Sequence, residues 1–279
     1  MQGQVVKIIS NQFFVLVGSD IITCSQRGKL KQERTMPLVG DKVIIDSKKR
    51  VIEKILPRKN ELIRPRVANI DQAFVITSYV NPDFSTNLLD KLIVELELNN
   101  IKPIICLTKR DLLIDDVLVN YQDILAYYKN LGYSVIENFE LDKIKDILEN
   151  KVTAFIGQTG AGKSTLLNNL FPGINLKTNE VSLALGRGRH TTRHIEIINI
   201  SNIKVLDTPG FSALTFPKSQ KSKIKDAFIE FQNFPCLYRD CMHDKEGECM
   251  VKVAVLEGKI LKSRYENYIK FLNDTEGGI

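Results

Sequence analysis

Apolar residues in the first sixty positions recur in short alternating runs, the period of half-buried strands. Residues 4–17 hold two such runs around Ser10-Asn11, and 41–56 hold two more, DKVIID and RVIEKIL, around Ser47-Lys48-Lys49. Short strands, tight turns and the lack of a helical period predict a small β-barrel over residues 1–66. An OB-fold fits that size, and periodicity alone does not separate it from an SH3-like barrel.

From 67 to 217 the period changes. Continuous apolar runs, AFVITS at 73–78, PIICLT at 103–108 and VTAFIG at 152–157, read as buried strands. They alternate with amphipathic helical stretches at 86–99, near 115–131 and from about 162. Strands alternating with helices predict an α/β fold with a mainly parallel sheet, whose ligand sites lie beyond the C-terminal strand ends.

Residues 218–279 read as mainly helical. A helix near 219–232 would place Ile224, Phe228 and Phe231 on one face, and a second runs through Val251–Glu257 to Gly258. Ser263 and Glu266 have the spacing of a capping box for a last helix. The expected architecture is thus a multidomain α/β protein in three parts, 1–66, 67–217 and 218–279.

Charge sharpens the first part. Residues 1–66 hold fourteen Lys or Arg against six Asp or Glu, whereas the remainder is slightly acidic. Arg27, Lys29, Lys31, Arg34, Lys48, Lys49, Arg50, Arg58 and Lys59 cluster in its turns and margins, a surface that suits a phosphate backbone. No apolar run is long enough to span a bilayer, and the first residues lack the character of a signal peptide. A cytoplasmic protein without membrane attachment is expected.

The stretch GQTGAGKS at 157–164 matches the phosphate-binding loop, between a strand and a helix as that loop requires. Backbone amides of Gly157, Gln158, Thr159, Gly160, Ala161 and Gly162 would cradle phosphates, and Lys163 would place a cation on the β- and γ-phosphates. Ser164 would coordinate Mg²⁺, and Thr165 opens the following helix. DTPG at 207–210 adds Asp207, a Mg²⁺ partner through water, and Gly210, whose N–H would meet the γ-phosphate. Between them GRGRHTTRH at 186–194 contains the candidate switch threonine, Thr191 or Thr192.

TKRD at 108–111 ends the strand PIICLT and precedes both phosphate motifs. The Asp111 carboxylate can accept from guanine N1–H and its 2-amino group, a pattern adenine does not offer. The Lys109 stem would cover the base, Arg110 lies between them, and Thr108 stands where Asn is usual. One site built from all three motifs would make this a circularly permuted GTPase.

Five cysteines occur, three of them within fourteen positions. Cys236, Cys241, His243 and Cys249 supply three thiolates and an imidazole, a set suited to one closed, structural, tetrahedral Zn²⁺ per chain. Cys24 and Cys106 lie in strand-like runs and read as core.

Taken together these motifs resemble, along the whole chain, the ribosome small subunit-dependent GTPase A family of bacteria. The resemblance implies an N-terminal OB-fold, a central permuted Ras-like GTPase and a zinc-binding C-terminal part. It also implies GTP/GDP, Mg²⁺ and the small ribosomal subunit with its rRNA as ligands and partners. A monomer is expected. By resemblance Thr108–Asp111 bind the base, Gly157–Thr165 the phosphates, and the four Cys/His residues zinc. The loop that supports guanine in such proteins should fall at 134–140, where this chain reads SVIENFE. Phe211 follows DTPG where a water-orienting Gln is frequent, which predicts slow intrinsic hydrolysis and leaves His190, or a group from the ribosome, as the catalytic candidate beside Lys163, Ser164 and Asp207. The competing readings are an rRNA-binding assembly module with nucleotide as a structural ligand, and an ATPase in which TKRD is accidental.

Overall fold

The computed structural model describes residues 1–28, 35–62, 66–113, 115–172, 195–207 and 216–274, with backbone alone at 115–120, 207 and 218. Its chain divides into two compact units. The first comprises Met1–Phe74, Glu140–Ile156 and Lys163–Phe211, the second Val75–Phe139, Gly157–Gly162 and Ser212–Ile279.

The first unit begins with β1 (Gln2–Ile9), β2 (Gln12–Val17), β3 (Asp20–Gln26), β4 (Lys42–Asp46) and β5 (Val51–Ile55). β1, β2 and β3 pair in antiparallel succession, β3 pairs β5 in parallel, β5 pairs β4, and β4 returns to β1. That order closes a five-stranded barrel of the OB type and decides between the two barrels the sequence allowed. Ser10, at φ 53°, makes the β1–β2 turn in the left-handed region. The alternation then works as read: Phe13 and Val15 point inward with Val5, Cys24, Val43, Ile45 and Ile52, while Phe14 and Leu16 stay half-buried. Beyond the barrel, Arg58 forks onto the fully buried Asp41, Nε to Oδ1 at 2.7 Å and a terminal nitrogen to Oδ2 at 2.8 Å. A bidentate pair of this kind fixes the outgoing segment geometrically. It continues as a ribbon of β6 (Glu61–Leu62) and β7 (Val67–Ala68), then β8 (Gln72–Ser78), whose first three residues complete this stretch.

The same unit holds the helix Leu141–Leu148 and three further strands, β11 (Val152–Gly157), β12 (Glu196–Ile200) and β13 (Ile203–Asp207). β11 is buried at every position, as its unbroken apolar run requires. It pairs β13 in parallel, placing Phe155 opposite Asp207, and β13 forms a hairpin with β12. A helix, Lys163–Leu170, packs through Leu166, Leu167 and Leu170.

In the second unit β8 continues from Val75 and is followed by α1 (Thr86–Leu98), β9 (Lys102–Thr108), α2 (Asp115–Asn130) and β10 (Ser134–Glu137). β10 pairs β9 in parallel, with Glu137 opposite Leu107, in the order β10-β9-β8. Ser85 caps α1 by accepting from the Leu88 N–H at 3.2 Å. Cys106 is buried in β9, as expected.

The C-terminal part departs from its sequence reading in two places. The stretch expected as one α-helix near 219–232 is 3₁₀-helical, Lys218–Ala227 followed by Ile229–Asn233. The residues expected on one face are nevertheless all buried: Ile224, Phe228 and Phe231 pack with Val251, Tyr268 and Phe271. Tight aromatic packing, with Phe228 and Phe231 stacked at 5.2 Å and Tyr268 edge-on to both, overrides the 3.6-residue period. The second correction concerns the capping box. The last helix, Lys262–Asn273, is capped by Leu261, whose side chain makes no cap bond, so Ser263 and Glu266 lie inside the helix.

This helix carries Arg264, fully buried, which binds Glu230 through two nitrogens at 2.8 and 2.9 Å and Asp90 of α1 at 2.6 Å. Tyr128 and Asn267 donate to the same Asp90 carboxylate. The guanidinium also lies 4.6 Å from the centre of the Phe228 ring. A buried charge is tolerable only when paired and hydrogen-bonded in this way.

Candidate nucleotide site and metal centre

The loop 157–162 and the TKRD stretch fall in the same unit. At Gly157, φ is 154°, and a Cβ would stand 2.2 Å from the Ile76 carbonyl oxygen of β8. Backbone passes backbone there, so only glycine fits. Gly162, at φ 91°, lies against the Thr108 side chain, every atom of which would be 3.6 Å from an added Cβ. The Ala161 N–H closes a turn onto the Gln158 carbonyl at 3.1 Å. Lys163 and Ser164 then open the first turn of the helix Lys163–Leu170, an end where the helix dipole favours an anion.

Thr108 joins the two motifs. Its buried hydroxyl donates to the Ala161 carbonyl at 2.7 Å, so the first residue of TKRD holds the phosphate loop. A hydroxyl suffices for that bond, which accounts for Thr where Asn is usual. Lys109 follows in the left-handed conformation, φ 61° and ψ 33°, and its ammonium donates to the Asn81 carbonyl. Non-glycine residues in this region are uncommon and cluster at sites that need them. The next residue after Asn81, Pro82, lies 3.8 Å from the Cβ position of Gly160. Arg110–Leu112 forms a 3₁₀ turn in which Asp111 is exposed at the end of β9.

Sequence reasoning missed a supporting pair. The Tyr79 hydroxyl donates to Glu137 at 2.7 Å, and Arg110 lies 3.8 Å from the same carboxylate oxygen. Burial, reinforced by Glu137, pushes the Tyr79 hydroxyl well up, so it remains a donor. The signal was positional: Tyr79 directly follows β8 and Glu137 ends β10, as Thr108 ends β9. The segment expected to support guanine, 134–140, starts as strand β10, and its Asn138 N–H donates to the Leu107 carbonyl at 2.9 Å.

The four Cys/His residues converge. The Nδ1 of His243 lies 3.4–3.5 Å from the sulfurs of Cys236, Cys241 and Cys249, and Cys236 and Cys249 are 3.7 Å apart. A tetrahedron with Zn–S and Zn–N bonds of about 2.3 and 2.0 Å has edges of about 3.8 and 3.5 Å, so this donor set fits a metal ion. Burial pushes the Cys241 thiol up to about 12 and lowers the His243 imidazole below its usual range. Both shifts favour the neutral forms, which suits the imidazole as a ligand, and thiolates formed at this buried position would require a cation. Outer contacts hold the ligands: the Tyr265 hydroxyl donates to the His243 carbonyl at 2.7 Å, Lys225 to the Cys241 carbonyl at 2.9 Å, and Glu246 accepts from the Met242 and Asp244 amides.

A family model described as RsgA GTPase matches residues 55–217, more than half of the chain, and a second, RsgA N-terminal domain, matches residues 2–51. The chain belongs to the RsgA GTPase family. Among RsgA relatives, the Enterococcus faecalis protein named small ribosomal subunit biogenesis GTPase RsgA is 42% identical, with 99% of this chain and 96% of the relative covered. A Bacillus subtilis protein of the same name is 41% identical over 98% and 97%. The crystal structure of YjeQ from Thermotoga maritima aligns with a TM-score of 0.84 at 32% identity, covering 100% and 99% of the two chains. YloQ, described as a circularly permuted GTPase, aligns at 0.77 and 36%, covering 98% and 93%.

In this RsgA family member the described residues bring Thr108, the first residue of TKRD, against Ala161 and Gly162 of the loop, and the four metal-ligand candidates together with each other. His190, Thr191, Thr192, Gly210 and Phe211 lie outside the described residues, and Asp207 is placed by its backbone alone. Of the basic residues expected to face phosphate, Arg58 and Lys59 are turned to internal carboxylates, Arg27 lies 3.5 Å from Glu53 and Lys49 3.8 Å from Asp46. Lys48 and Arg50 are exposed, and Lys29, Lys31 and Arg34 lie outside the described residues. Among the described residues no helix is long and apolar enough to cross a membrane.

Proposed function

We propose that this chain is a GTP hydrolase acting late in maturation of the small ribosomal subunit, cycling on and off as GTP is bound and hydrolysed. The observation that supports this most is the Thr108–Ala161 hydrogen bond, which couples a guanine-type motif to a phosphate loop in permuted order. The names of the relatives, small ribosomal subunit biogenesis GTPases, supply the partner.

In this reading Asp111 accepts from the guanine edge, the Lys109 stem covers the base, and the amides of 157–162 hold the phosphates with Lys163 and Thr165. Ser164 and Asp207 hold Mg²⁺, which neutralises charge developing on the β- and γ-phosphates. Thr191 or Thr192 closes over the γ-phosphate, Gly210 offers it an N–H, and His190 or a ribosomal group orients the water. Cys236, Cys241, His243 and Cys249 hold one structural Zn²⁺ without an open position. The barrel of 1–66 contacts rRNA, 67–217 turns over GTP, and 218–279 is organised by zinc. The protein works as a monomer in the cytoplasm.

Co-sedimentation with purified small subunits tests this reading. A non-hydrolysable GTP analogue should hold the protein on the subunit and GDP should release it; equal binding in both states would overturn it.

A further inference from the structure

A cavity of about 550 Å³ in the first unit lies where the barrel meets the strands that precede and follow the phosphate loop. Four of its lining residues are lysines, from four separate segments: Lys42 of β4, Lys59 after β5, Lys151 before β11 and Lys204 of β13. Asp71 is the one acid in the lining. It is already satisfied, by the Lys59 ammonium and by the Val152 N–H at 2.7 Å. Lys204 is held by a neutral group, the Gln4 side-chain oxygen at 2.8 Å, and Gln4 is fixed in turn through its amide on the Gly40 carbonyl at 3.3 Å. The Lys42 and Lys151 side chains are exposed into the groove.

Among the described residues of the lining, three positive charges are therefore left without a matching carboxylate. The rest of the wall is mostly amide and hydroxyl, with Pro57 and Val152 the apolar members. Such a wall offers no pocket for the apolar anchors of a peptide, whereas ammonium groups and amide donors suit the oxygens of successive phosphates. The groove is also distinct from the nucleotide loop: Val152, in its lining, opens β11, whereas the loop begins at Gly157, the last residue of that strand.

We propose that this groove binds the phosphodiester backbone of RNA and thereby lets one RNA segment contact barrel and GTPase core together. The proposal rests on the ribosomal reading above for the identity of the RNA. It explains why Gln4, a β1 residue in the barrel, uses its side chain to aim a lysine of β13.

The test compares the full chain with the double variant Lys42→Gln/Lys151→Gln in binding to protein-free small-subunit rRNA across a salt titration. Two ammonium groups that would each neutralise a phosphate are absent from the variant. The slope of log affinity against log salt should therefore become shallower by about 1.4, and affinity near physiological salt should fall about tenfold. GTP affinity and melting temperature should be unchanged, since neither lysine belongs to the nucleotide site. An unchanged slope in the variant, with rRNA still bound by the parent, would overturn the groove and leave the ribosomal reading standing. Failure of the parent to bind rRNA at all would overturn both. Displacement of bound rRNA by millimolar tripolyphosphate to the same extent in parent and variant would show a small-anion effect elsewhere, and would also count against the groove.

Discussion

The hydroxyl of Thr108 donates to the carbonyl of Ala161 across 2.7 Å. They stand fifty-three positions apart, and TKRD comes first in the chain, so this bond ties the two motifs together in permuted order. Thr108→Val keeps the shape and removes the donor, leaving the Ala161 carbonyl without it. The expected loss is about 1–3 kcal/mol of loop stability. Calorimetric titration should show weaker GTP and GDP binding to similar extents, and unchanged affinity would mean that the bond does not hold the loop.

Asp111→Asn tests base recognition. The substitution exchanges a carboxylate able to accept from two guanine donors for an amide that can also donate. Affinity for GTP should fall by about a hundredfold or more, and xanthosine triphosphate, whose 2-oxo group accepts, should become the better ligand. Competition binding measures both, and strong ATP binding by the parent would defeat the assignment.

Cys241→Ser removes a buried member of the four candidate metal ligands. Zinc content measured by atomic absorption should drop from about one per chain towards zero, and chelation of the parent should expose the same segment, 236–249, to hydrogen exchange. Unchanged metal content in the variant would rule out the four-ligand centre.

Arg264→Met tests the buried ion network. Without the guanidinium, Asp90 and Glu230 are left as buried carboxylates, and an uncompensated buried charge costs about 3–5 kcal/mol. Denaturant unfolding should show a loss of that size, whereas Lys262→Met, on the exposed side of the same helix, should change little.

What was legible in the sequence follows from the range of the interactions involved. The phosphate loop, TKRD and the Cys/His set are local patterns, because each concentrates its chemistry within a few consecutive residues. The strands AFVITS, PIICLT and VTAFIG were legible because complete burial leaves an unbroken apolar run. Arg264, Asp90 and Glu230 were not, since a charged residue in a helical pattern reads as surface until its partners, far away in the chain, are seen. The 3₁₀ course of 218–233 was hidden for a related reason: Ile224, Phe228 and Phe231 keep helical spacing, while ring packing with Tyr268 sets the local geometry. The lysine groove draws on positions 4, 42, 59, 151 and 204, which no window of sequence places together.

The central claim is that this chain is a GTPase whose turnover answers to the small ribosomal subunit. Steady-state GTP hydrolysis with and without purified small subunits tests it most directly. Slow turnover alone, a rise of about tenfold or more with subunits, and a decline of that rise with increasing salt are expected. A rate that stays flat as subunits are added would contradict the account.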